Sequence, residues 1–290
     1  MPRNAVYVTI RFYLNIVLMN RKSFQNRTLS AIAAIFALAA FVSAQTEAAP
    51  SPTPTAAALP AAKGQMQTAE QVVEAAIFFY SGLGGRERLD QIRKTTQERG
   101  TLTTTAADGK TERSSYVRWA MRGETLDKER VRLDQDMPSA RYSLVFNEGN
   151  IFLIFNNTVF AAREDVARAF EHSLFHGIEA MLRYKENGST LELQPREKLM
   201  GVDYYVVDVK DTKERTTRFY ISAKTYRVML LTYEFGGIKY TRRFYDYKYA
   251  QNTLVPYRTV LLADNKPVEE FQIGTITFGQ KVDEELFRSS

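Results

Sequence analysis

The chain contains no cysteine, and that absence removes several chemistries at once. Without a thiol there is no disulfide, no thiolate metal site, no thiol nucleophile and no cysteine to carry an N-terminal lipid. Histidine is almost as scarce, with only His172 and His176, and tryptophan occurs once, as Trp119. The apolar run from Leu29 to Val42 falls short of the roughly 20 residues that a bilayer-spanning helix needs. A basic excess is also missing once the N-terminus is set aside. The whole chain has 39 Lys+Arg against 33 Asp+Glu. Five of the bases (Arg3, Arg11, Arg21, Lys22, Arg27) and none of the acids precede Ala44, leaving 34 against 33. Bases and acids are then interleaved rather than gathered in a tract, which gives no support for nucleic-acid binding.

What is present begins with a leader. Arg21, Lys22 and Arg27 form a basic patch, the apolar run follows, and Val42-Ser43-Ala44 supplies the small residues that a signal peptidase reads. Residues 1–44 are therefore expected to be a secretory signal peptide, against the alternative of a membrane anchor. Met19 makes a better start codon than Met1, an alternative that leaves residues 1–18 untranslated. Residues 45–65 are rich in Ala, Pro and Thr, as in Pro50-Ser51-Pro52-Thr53-Pro54, and read as a disordered linker. One folded domain is expected over 66–290, with 18 Phe and 16 Tyr in the chain to build a core without disulfides.

Thr68 and Gln71 have capping-box spacing, and Val72, Val73, Ala76, Ile77 and Tyr80 share a helical face that Gly82 closes. A short helix is expected over 86–92. The apolar period then changes to two. Strands are expected over 96–104, 114–122, 126–134, 141–146 and 151–155. One further helix is expected over 164–184, and then strands over 191–198, 204–209, 216–221, 228–235, 239–247, 255–262 and 269–278. Turn residues such as Asp108-Gly109, Gly236-Gly237 and Asp264-Asn265 punctuate them.

Catalytic motifs find no anchor in this pattern. Gly82-Leu83-Gly84-Gly85 follows a helix and lacks the Lys-Ser/Thr of a phosphate loop, so a helix-cap turn is the expected role. Asp134-Gln135-Asp136 opens like a calcium loop, but Pro138 and Val145 occupy positions that ligands require. No Gly-x-Ser-x-Gly elbow occurs. His172, His176 and Glu179 fall at i, i+4 and i+7 of the expected third helix, which could present a metal. The same stripe carries Asp165 and Arg183, so the expectation is a solvated, salt-bridged surface with no metal and no cofactor.

Strand parity supplies a candidate site. Tyr205, Val207, Phe219, Ile221, Met229, Leu231 and Tyr233 share parity on three successive strands and should form one apolar patch. The intervening residues of these strands are partly apolar too, so the second sheet face must be covered, by helices or by an apolar ligand.

Gly201-Val202-Asp203-Tyr204-Tyr205, Phe219-Tyr220-Ile221-Ser222-Ala223-Lys224-Thr225, Asp246-Tyr247, Leu254-Val255-Pro256 and Val282-Asp283-Glu284-Glu285-Leu286-Phe287 come in an order that resembles the outer-membrane lipoprotein-sorting, LolA/LolB-like superfamily. The opening Tyr80, Leu83-Gly84-Gly85, Leu89, Ile92 and Gly100 is similar to the start of such proteins, so the resemblance spans most of 65–287. It implies a mostly β (α+β) fold: an unclosed antiparallel β-barrel of about ten or eleven strands with helices covering the concave side. It also implies a non-catalytic periplasmic carrier or sensor that binds a lipid or lipoprotein acyl chain, with envelope membrane proteins as partners. The seven parity residues would then face the concave side and contact the ligand. The alternatives are an envelope protein-interaction module with a self-filled core, and an exported hydrolase.

Overall fold

The computed structural model describes residues 67–106, 108–137 and 140–288. The expected signal peptide and linker lie outside them. Helix α1 (Ala69–Tyr80) opens with the capping box: Thr68 accepts from the Gln71 amide at 3.2 Å, and the Gln71 side chain accepts from the Thr68 amide at 2.9 Å. It buries Val72, Val73, Ala76, Ile77 and Tyr80, the face set by their spacing. The chain then turns at Gly82, whose φ is +62° and whose Cβ, if present, would lie 2.2 Å from the Asn252 carbonyl oxygen. Helix α2 (Gly85–Ile92) follows.

The rest is one antiparallel sheet. Its strands are β1 (Thr95–Thr105), β2 (Thr111–Met121), β3 (Arg130–Asp136), β4 (Arg141–Asn147), β5 (Asn150–Phe155), β6 (Thr158–Ala161), β7 (Thr190–Leu199), β8 (Val202–Lys210), β9 (Thr216–Ser222), β10 (Val228–Phe235), β11 (Ile238–Ala250), β12 (Thr253–Ala263) and β13 (Lys266–Phe278). The order is β6-β5-β4-β3-β2-β1-β13-β12-β11-β10-β9-β8-β7, with no pairing between β6 and β7, so the sheet is not closed. Thirteen strands exceed the expected ten or eleven. β6 is a four-residue addition too short for alternation to reveal, and residues 126–128, expected to open a strand, form a 3₁₀ turn ahead of β3.

The sheet curls into a trough. The β8–β9 turn and the 3₁₀ turn leading into β3 are joined by an ion pair, Lys213 Nζ to Asp127 Oδ1 at 2.6 Å. Flat, strands β3 and β9 would be seven spacings, or about 34 Å, apart. The concave face meets the helices in a continuous core that takes Leu102, Tyr116, Leu133, Leu144 and Phe146 from one half of the sheet. From the other half come Val207, Phe219, Leu231 and Phe244. The convex face is partly covered by the C-terminal 3₁₀ turn Glu284–Phe287, which seats Phe287 against Val145 and Phe152, with Trp119 at the margin.

The region expected as one helix over 164–184 is two: α3 (Glu164–Phe175) and α4 (Ile178–Leu182). Gly177 between them is extended, with φ −111° and ψ 176°, so the helical phase restarts.

Candidate functional site

Six of the seven parity residues come together. Tyr205 and Val207 on β8 face Ile221 and Phe219 on β9, and Phe219 faces Leu231 on β10. Tyr233 continues the face, and all six are buried in the concave core. Met229 is the exception and corrects the expectation. A bulge lies between Val228 and Leu230, so Val228 takes the inward place opposite Ile221. Met229 turns outward, where it packs with Tyr204, Val206, Tyr220 and Leu230. These strands are therefore apolar on both faces because each face has its own cluster. On the concave side the cover is protein: Val72, Val73 and Ile77 of α1, Phe170 and Phe175 of α3, and Met181 of α4 belong to the same core.

The patch runs into a fork in the sheet. Pairing of β9 with β10 ends at Arg218 and Thr232. Beyond that rung β9 stays with β8 as far as Thr216, and β10 stays with β11 as far as Phe235. The divergence opens a cavity of about 890 Å³ whose walls come from both sheet faces. Phe175, His172, His176, Tyr233 and Phe235 form its aromatic side. Asp208, Arg218, Glu234 and Lys239 are among the charged groups of its other side. Arg218 and Asp208 are satisfied by each other through two hydrogen bonds of 2.7 and 2.8 Å, so they frame the mouth rather than point reactive groups into it.

The two histidines overturn the expected solvated stripe. His176 is 3% exposed, its Nδ1 shares a 2.7 Å hydrogen bond with Thr217 Oγ1, and its ring lies parallel to Tyr233 at 4.0 Å. Burial, with the charges of His172, Arg242 and Arg215, lowers its pKa from 6.5 to about 3, so the imidazole is neutral. The His172 ring stacks 5.2 Å from that of His176 and meets Phe235 at 4.0 Å. Glu179 has left the stripe, because the break at Gly177 places it in a separate cluster with Arg93 and Arg122. Burial opposes its ionisation, but Arg93, Arg122 and Arg183 outweigh that and hold its pKa at about 2. Among the described residues no three His, Cys, Asp or Glu side chains converge as metal ligands do.

Sequence reading also passed over the charged residues of the concave face. Glu98 on β1 accepts from the Tyr116 hydroxyl at 2.6 Å and from Arg118 at 2.7 Å. Arg242 on β11 is buried as well. The signal was available: Tyr240, Arg242 and Phe244 alternate, and the inward turn of the two aromatics carries Arg242 inward with them.

Solved structures of similar fold include the following two. A DUF1329 family protein from Desulfovibrio piger matches with a TM-score of 0.56 at 10% identity, over 77% of this chain and 98% of its own. A LolA superfamily protein from Nitrosomonas europaea matches with a TM-score of 0.53 at 12% identity, again over 77% and 98%. No protein-family model matches the chain, and no curated protein does. At these identities the likeness is one of fold, and the fold is LolA-like.

Proposed function

We propose that the protein is a non-catalytic carrier or sensor, exported to the periplasm, that takes a lipid or lipoprotein acyl chain against the concave face of its half-barrel. One observation carries the reading: the apolar row of β8–β10 is continuous with an aromatic-walled cavity at the fork between β9 and β10. Hydrocarbon transferred from water to such a surface gains about 0.8 kcal/mol per methylene, so a single chain supplies useful affinity. The LolA-like fold supports this reading, and the near-neutral mature charge favours no nucleic-acid partner. Envelope membrane proteins are the partners that such a carrier would serve. The test is displacement of a fluorescent fatty acid from protein purified without detergent. Saturable, stoichiometric binding is expected, and its absence would overturn the reading.

A second reading is favoured by the full burial of Val207, Phe219, Ile221 and Leu231 beneath the helices. In it the trough is filled by the protein's own side chains, and the molecule is an interaction module of the envelope. The same displacement measurement separates the two.

A further inference from the structure

The fork between β9 and β10 has a defined edge chemistry. Strands β10 and β11 join through Gly236-Gly237, whose φ values of +60° and +75° make a two-residue hairpin turn. In such a hairpin the flanking residues, Phe235 and Ile238, direct their N–H and C=O groups at each other. These groups alternate in direction along an antiparallel strand, so those of Glu234 point the other way, into the fork. Thr232 has the same parity as Glu234, and its rung with Arg218 is the last one that β9 and β10 share. Two residues further out, Thr216 directs its own N–H and C=O toward Glu234, with no pairing between them. Both residues line the cavity, and both are exposed.

The fork is braced open rather than frayed. Helix α3 and the residue that caps it, His176, hold each prong. Just before β9, Arg215 meets Glu171 at 3.2 Å and lies 3.6 Å over the Phe175 ring. On β9 itself Thr217 is bonded to His176. On β10, Tyr233 stacks on His176 and Phe235 meets His172. The cavity lining carries four basic and four acidic side chains, so a strongly charged ligand of either sign gains little there. What the two edges lack is a further backbone. Alternate residues of an extended polypeptide present N–H and C=O to opposite sides, so one chain can serve both edges.

We propose that the fork takes an extended, uncharged segment of a partner protein by strand addition, its backbone pairing with Glu234 on β10 and Thr216 on β9. One side chain of the segment, apolar, lies against His172, His176 and Phe235, and the next points to the polar face. This names the partner of the interaction-module reading and rests on that reading.

The test is fluorescence anisotropy of labelled, end-capped pentapeptides that alternate Thr with Phe, Leu, Tyr or Val, titrated with the whole mature protein. At least one should bind saturably. N-methylation of its odd or of its even residues removes the donors on one side, and one of the two forms should bind at least about tenfold weaker. Glu234→Pro deletes the N–H that faces the fork and leaves the ladder to β11 intact, so it should melt near the parent and bind about fivefold weaker or worse. Glu234→Gln should bind as the parent does. If Glu234→Pro melts low, Thr216→Pro makes the same deletion on β9 and is read instead. Binding that survives N-methylation and the proline changes would overturn the fork while the interaction reading stands. If no peptide binds, both fail. Displacement of bound peptide by dodecanoate would make hydrocarbon the occupant of the fork and contradict the proposal.

Discussion

His176 Nδ1 stands 2.7 Å from Thr217 Oγ1, one residue beyond the rung where β9 and β10 separate. The neutral imidazole thus fills the concave side of the fork. Its pKa of about 3 lies below the ordinary 6.5, so the stability it contributes is complete above pH 6.5 and is lost as pH falls toward 3. Urea melts between pH 7 and pH 4 should show the parent losing stability more steeply than His176→Gln. Parallel slopes would mean that the ring is solvated after all. His176→Ala should cost about 1–3 kcal/mol at pH 7 through the lost hydrogen bond and ring packing.

The bulge at Met229 gives neighbouring residues opposite fates. Leu231 is fully buried on the concave face, so Leu231→Lys should cost several kcal/mol and abolish the cooperative melt. Met229 is half-buried on the convex face, where a lysine stem can lie along the surface with its ammonium in water. Met229→Lys should cost about 1 kcal/mol or less. Equal destabilisation by the two changes would contradict the register.

Glu179 links three elements through its arginine pairs. Arg93 follows α2, Arg122 follows β2, and Glu179 belongs to α4. Glu179→Gln leaves Arg93 without a carboxylate and should cost about 3 kcal/mol at pH 7. Because the carboxyl's pKa is lowered from 4.5 to about 2, that contribution is present above pH 4.5 and fades as pH falls toward 2. Melts of parent and variant should therefore converge in acid, and a constant gap down to pH 2 would exclude a charge-based role.

Gly100 sits at the β1–β13 register shift with no room for a side chain. A Cβ there would lie 2.1 Å from the Gln272 carbonyl oxygen and 3.0 Å from Tyr116 Cε1. Gly100→Ala should cost about 1–3 kcal/mol, measured by urea unfolding. A neutral result would show that β1 and β13 part easily.

Local chemistry made much of this legible from sequence. The capping box, the face of α1 and most strands follow from spacing and alternation, signals a few residues long. The misreadings share a physical cause, which is a single residue that resets the phase. Gly177 breaks the helix and moves Glu179 away from the histidines, and the bulge at Met229 sends that residue outward and Val228 inward while Leu231 and Tyr233 keep their face. The fork was out of reach because a strand's alternation is the same whether or not its neighbour stays paired. Arg242 was passed over because a charge is ordinarily assigned to the wet face, and its burial depends on the parity of Tyr240 and Phe244.

The central claim is that hydrocarbon occupies the concave side of this half-barrel, and the direct measurement is of what the protein already holds. Protein exported by a bacterial host and purified without detergent would be extracted with organic solvent and the extract analysed by mass spectrometry. The account predicts an acyl lipid near one equivalent per chain. An extract free of lipid, from protein that also fails to take up dodecanoate, would contradict it.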